Sequence, residues 1–124
     1  MRIPPNAPLV FIAGPYTNPD TCVNMHIALK RAQAITDMGA AVFIPHLFHF
    51  WHIMQPQLYA FWTSLDNAML KRCDALYRIP GDSPGADAEE DLAKTLGLPV
   101  FTSMGELDNW VRKQLHSVNA ISSP

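Results

Sequence analysis

Only two cysteines occur in the 124 residues, Cys22 and Cys73, with no C-x-x-C and each inside a segment that reads as helix. This excludes a zinc ribbon and a disulfide scaffold, and it fits a reducing, cytoplasmic setting. Positive charge is also scarce. Nine Lys and Arg stand against eleven Asp and Glu, a formal net charge of -2. Without a basic surplus the chain lacks the electrostatic footprint that a polyanion needs, so polymeric nucleic acid is not an expected partner. No run approaches the ~18 apolar residues of a membrane span, and Met1 to Pro8 holds no apolar core of the kind a signal peptide uses, so neither membrane attachment nor export is expected. The first apolar run is followed by one glycine rather than G-x-G-x-x-G, there is no Walker A sequence, and no nucleophilic Ser or Cys sits in an elbow context. Dinucleotide enzymes and P-loop NTPases are set aside, and no cofactor is expected.

What is present is apolar patterning. Hydrophobic residues make up 48% of the chain, and its length suits one core. A single domain is expected over residues 1–116, with a polar, aperiodic tail at 117–124 that should fray. Leu9 to Ala13 (LVFIA) is a short apolar run stopped by Gly14-Pro15, the pattern of a buried strand. Ala41 to Ile44, Ala75 to Ile79 and Leu98 to Thr102 repeat it. Between and after them lie helical segments: Thr21 to Met38, with a stripe of Met25, Ala28, Leu29, Ala32 and Ile35 and a stop at Gly39, then about Gln57 to Arg72, Ala86 to Leu96 and Gly105 to Leu115. Strands alternating with helices join most simply by right-handed crossovers, which predicts a doubly wound, Rossmann-like three-layer α/β sandwich with a parallel sheet of four to five strands. Ligands of such sheets bind beyond the carboxyl ends of the strands. Three segments should therefore converge on one pocket: Gly14-Pro15-Tyr16-Thr17, Pro45 to Phe48, and Pro80 to Gly85.

One carboxylate in the helix after Gly85 sits on the apolar side. Counting back from Leu92, Ala93 and Leu96 by three, four and seven residues places Glu89 on the inward stripe. Glu90 instead precedes Lys94 by four residues, the spacing of an exposed ion pair. An inward carboxylate in the first helical turn should be held ionised by the helix dipole, as an anionic nucleophile must be. Periodicity alone equally allows Glu89 to be a cap for backbone N–H groups.

His46, His49 and His52 form an H-x-x-H-x-x-H series. No helix or strand period puts all three on one face and no cysteine joins them, so no metal site is expected. Around them lie Phe48, Phe50, Trp51, Phe61 and Trp62, excessive for the surface of a small monomer. One or two of these rings are expected against a bound ligand and the others at a subunit interface.

The combined pattern resembles the nucleoside 2-deoxyribosyltransferase-like superfamily, which includes the 2'-deoxynucleoside 5'-phosphate N-hydrolases. The resemblance spans roughly residues 9 to 101. It is carried by Val10-Phe11-Ile12-Ala13-Gly14-Pro15-Tyr16, by Pro45-His46, by Asp66 through Cys73-Asp74-Ala75-Leu76, and most specifically by Ser83-Pro84-Gly85-Ala86-Asp87-Ala88-Glu89 followed by Leu96-Gly97-Leu98-Pro99-Val100. It implies a flavodoxin-like sheet and a Glu, here Glu89, that attacks the anomeric carbon of a (deoxy)nucleoside or nucleoside 5'-monophosphate. The glycosyl ester is then resolved by a second base or by water. It implies that Asp66 is a second acid near base and sugar, against a plain reading as a solvated mid-helix acid. It implies that Ser83, with amides of the first turn and of Gly85, holds a 5'-phosphate, against a plain reading as a turn former. His46 matches a position near sugar or phosphate, and a homodimer or larger oligomer is implied. The chain departs at Phe11, where the family often has a Tyr that bonds the catalytic Glu; either Tyr16 substitutes from the turn or the site lacks this bond. No Arg or Lys stands beside either turn in sequence. Base identity, ribose against deoxyribose, the need for a phosphate, and hydrolysis against transfer are not legible. The alternative from another class is a catalytically silent nucleotide-binding sensor.

Overall fold

A computed structural model describes residues 2–122, with side chains to residue 117. Four parallel strands form one sheet: β1 (Leu9–Ala13), β2 (Ala41–Phe43), β3 (Ala75–Arg78) and β4 (Val100–Phe101), in the order β2-β1-β3-β4. Val10 pairs with Val42 on one side and with Ala75 on the other, so β1 is the central strand from which the chain departs both ways. Helices cover both faces. Alternation along β1 decides which residue meets which layer. Val10 and Ile12, with Ala75 and Tyr77, pack under α1 (Thr21–Asp37) and α5 (Met104–Ser122) through Ala28, Ile35, Leu107 and Val111. Phe11 and Ala13, with Leu76, pack under α3 (Tyr59–Leu70) and α4 (Pro84–Thr95) through Leu70, Ala86 and Ala93.

The expected three-layer sandwich is present, with four strands among the described residues. Local details differ from expectation where tertiary contacts override pattern. Leu29, read as part of the α1 stripe, is exposed, because the sheet contacts only the arc of Met25, Ala28, Ala32 and Ile35. The segment after β2, read as a connection, contains a 3-10 turn (Pro45–Leu47) and a further helix, α2 (Phe48–Met54). The helix expected from Gln57 starts at Tyr59, after Leu58 in extended backbone. α4 starts at Pro84, two residues before the expected Ala86, because Ser83 takes the N-cap and accepts the Ala86 N–H at 3.1 Å. α5 runs on to Ser122. Residues 123 and 124, the end of the expected tail, lie outside the described residues. Gly39 closes α1 at φ +100°, as its position suggested.

Candidate active site

The loops that follow β1, β2 and β3 meet at the carboxyl edge of the sheet and, with α3 and α4, enclose a cavity of about 330 Å³. Gly14 at the end of β1 forms part of its floor, and a Cβ there would lie 2.8 Å from Ile79 Cβ, so only glycine lets the two strand ends close up. α3 presents Tyr59, Trp62, Thr63 and Asp66, a stripe at helical spacing. α4 presents Ser83, Gly85, Glu89 and Leu92 opposite it. His46, Phe48, His49, His52 and Tyr16 complete the wall. The volume falls within the range of small-molecule sites.

Asp66 and Glu89 face one another across this cavity within hydrogen-bonding reach. Two ionised carboxylates cannot bond each other, and at this separation their charges repel. The pair therefore holds a proton. Burial raises the Asp66 carboxyl to about 6, and burial with the charge of Asp66 raises Glu89 to about 8, against the pull of the Arg78 cation. These values belong to the pair rather than to either residue. Glu89 is thus not held ionised by the dipole, as its sequence position suggested. The early start at Pro84 moves it into the second turn, where the dipole has faded, and desolvation dominates. Nor is Glu89 the cap of its helix, since Ser83 fills that role. Asp66 is half-buried, with Oδ1 sealed from solvent, rather than solvated.

Arg78 overturns the expectation that no basic group reaches the turns. It sits in the strand, 8% exposed, and its side chain donates to the Ile79 carbonyl at 3.0 Å, the Gly81 carbonyl at 2.7 Å and Asp87 at 2.9 Å. It ties the loop between β3 and α4 to the helix that carries Glu89. The signal for it was an arginine inside the apolar run ALYRI, which is costly unless its donors are met.

The other expected site residues divide. Gly14, Tyr16, His46, Ser83 and Gly85 line the cavity. Phe11 does not: it is fully buried in the sheet face under α3 and α4, its ring 5.4 Å from Phe43, because an odd position on β1 points into that layer. Pro15 lies on the far side of the loop, in a second hollow with Asn24 and Gly81, although its carbonyl oxygen is 3.0 Å from His46 Nε2. The Tyr16 hydroxyl pairs with His49 Nδ1, and among the described residues it makes no bond to Glu89. Asn24, buried in α1, donates to the Tyr16 carbonyl at 3.1 Å and the Asn18 carbonyl at 2.9 Å, which fixes that turn.

His49 and His52, expected among the aromatic residues, also reach the cavity. His52 Nδ1 accepts the Trp62 indole N–H at 2.9 Å and the Gln57 amide at 3.2 Å, so its proton sits on Nε2. Among the described residues no three His, Cys, Asp or Glu form a metal-binding group. Phe48 and Trp62 both line the cavity and stack on one another with ring centroids 5.4 Å apart, while Phe50 and Trp51 are exposed. Tyr59, Thr63, His49 and His52 were missed as site residues, because a stripe of mixed polarity reads as the edge of an amphipathic face.

A family profile described as "Domain of unknown function (DUF4406)" matches residues 8–102, which include all four strands. No curated protein matches the chain. Among solved structures, a 2-deoxyribosyltransferase from the psychrotolerant bacterium Bacillus psychrosaccharolyticus has a TM-score of 0.56 at 24% identity, covering 74% of this chain and 69% of that one. The likeness is one of fold. No described helix is long and apolar enough to cross a membrane.

Proposed function

This chain belongs to the DUF4406 family, and for this domain of unknown function we propose cleavage of the N-glycosidic bond of a (deoxy)nucleoside or nucleoside 5'-monophosphate through an ester on Glu89. The observation that carries the reading is the carboxyl pair Asp66–Glu89, sharing a proton inside a cavity with an aromatic wall. The 2-deoxyribosyltransferase of like fold supports sugar transfer as the chemistry.

Singly protonated, the pair has two arrangements. At rest burial and the charge of Asp66 keep the proton on Glu89; the reactive arrangement is the other one, with the charge on Glu89, at a cost the Arg78 cation partly offsets, and the proton on Asp66. Glu89 attacks C1' of the sugar, the bond from C1' to the base nitrogen breaks, and its electron pair leaves with the base, which takes the Asp66 proton. The transition state is oxocarbenium-like, and the facing carboxylate stabilises it electrostatically. Asp66, now ionised, takes a proton from water or from an incoming base. That nucleophile attacks C1', the ester bond to Glu89 breaks, and the pair returns to one proton. Phe48 and Trp62 are suited to stack on the base. A homodimer or larger assembly belongs to the same reading, supported by the exposed apolar face of α2 and the start of α3.

The test is chromatographic, on a panel of nucleosides and 5'-monophosphates with and without a free acceptor base. Base release that needs no acceptor marks hydrolysis, and a new nucleoside formed only with an acceptor marks transfer. Glu89→Gln is expected to reduce either by about 10³-fold or more. Nucleotide binding without turnover of any member would replace this reading with the silent sensor.

A further inference from the structure

Two buried polar atoms of residues that line the cavity have no partner among the described residues: His46 Nδ1 and Asp66 Oδ1. Their sense follows from the rest of each side chain. His46 Nε2 is 3.0 Å from the Pro15 carbonyl oxygen, which only accepts, so Nε2 carries the proton and Nδ1 a bare lone pair. The ring is 5% exposed, and burial favours its neutral form although the Pro15 and Gly14 carbonyls favour the cation. Asp66 Oδ1 accepts whether or not the other carboxyl oxygen holds the shared proton. Two buried acceptors on the lining of one cavity suit a ligand that brings donors, in place of water. Sugar hydroxyls do this, whereas an ionised phosphate carries only acceptors.

The cavity also has little with which to hold a phosphate. Among the described residues none of its lining is Lys or Arg. Arg78 does not line the cavity, and three of its five N–H groups are committed to Ile79, Asp87 and Gly81. At the start of α4, Pro84 has no N–H, the Ala86 N–H goes to Ser83 Oγ and the Asp87 N–H to the Ser83 carbonyl, which leaves Gly85. A phosphate cradle needs several convergent N–H groups, and the start of α4 offers one, beside a carboxyl pair whose remaining negative charge repels an anion.

We infer that the cavity takes the free nucleoside and discriminates against its 5'-monophosphate, with His46 Nδ1 and Asp66 Oδ1 each accepting a hydrogen bond from a sugar hydroxyl. The identity of the ligand as a nucleoside rests on the N-glycosidase reading; the preference for hydroxyls over phosphate rests on the cavity. Ser83 is then a helix cap and not a phosphate ligand.

The experiment pairs binding with turnover. Calorimetry on Glu89→Gln, which is expected to bind without reacting, compares deoxynucleosides with their 5'-monophosphates and with 3'-deoxy and 5'-deoxy analogues. Chromatography follows turnover of the first two classes by the unaltered protein. Nucleosides are expected to bind at least about ten-fold more tightly than monophosphates, and loss of one of the two hydroxyls to weaken binding by about ten-fold. His46→Phe keeps a flat ring without an acceptor and is expected to abolish one of those hydroxyl penalties. The analogue series with His46 in place decides the matter even if that variant does not fold. Monophosphates that bind as well as nucleosides overturn the inference and leave the N-glycosidase reading intact. Nucleoside-selective binding without base release overturns that reading and leaves the inference. Absence of binding by every nucleoside overturns both.

Discussion

At Glu89 and Asp66 the folded state holds a proton that the unfolded chain would release near pH ~4. Both folded values lie above that range, at about 8 and about 6. A group whose folded value is raised contributes stability that is complete below its unfolded value and lost as pH rises through the folded one, so this pair makes the protein less stable toward alkaline pH. Glu89→Gln removes the repulsion. Its melting temperature, followed by scanning calorimetry, is expected to exceed that of the unaltered protein by about 4 °C or more at pH 9 and by little at pH 5. The same pair sets the proposed reaction. The rate is expected to fall on the acid side as a second proton binds and on the alkaline side as the last one leaves, giving a bell in kcat/KM with limbs near about 6 and about 8. A profile flat across this range would separate the carboxyl pair from the rate.

At the scale of elements, the proposed nucleophile is placed by the loop between β3 and α4, and Arg78 holds that loop. Its bond to Asp87 is weak support, because the Asp87 side chain is 69% exposed and water screens the pair. The two carbonyls, Ile79 and Gly81, are the partners that count. Asp87→Ala is expected to cost less than about 1 kcal/mol in urea unfolding. Arg78→Met leaves those carbonyls unpaired and is expected to cost on the order of 2 kcal/mol or more. It also removes the cation that opposes the rise at Glu89, so the alkaline limb should move to higher pH. An Arg78→Met variant as stable as Asp87→Ala would mean that water replaces the guanidinium.

For the whole molecule, the outstanding feature is an apolar face made by α2 and the start of α3. Met54 is 85% and Leu58 82% exposed, with Phe50, Ile53 and Tyr59 also open. Such a patch favours association of copies. Light scattering after size exclusion is expected to give a dimer or larger species for the unaltered chain. Met54→Glu with Leu58→Glu is expected to shift it toward monomer with an unchanged circular dichroism spectrum. A monomeric unaltered chain at micromolar concentration would remove the oligomer from the proposal.

Four short apolar runs separated by helical stripes were sufficient to specify a parallel sheet with helices on both faces, because strand and helix periods are local properties of the chain. Periodicity likewise turned Glu89 inward and Glu90 outward. What local pattern cannot carry is which element stands opposite. Asp66 and Glu89 meet because β2 and β3 lie on opposite sides of β1, which brings α3 beside α4. That order also buries Phe11 away from the cavity, brings His49 and His52 into its wall, and lets Arg78 reach a turn from inside a strand. The start of α4 shows the same division: the residue types for a cap are written at Ser83-Pro84, but the raised pKa of Glu89 follows from the protein packed around it. Burial and the facing charge depend on residues distant in the chain, so the protonation of the site was decided by tertiary structure alone.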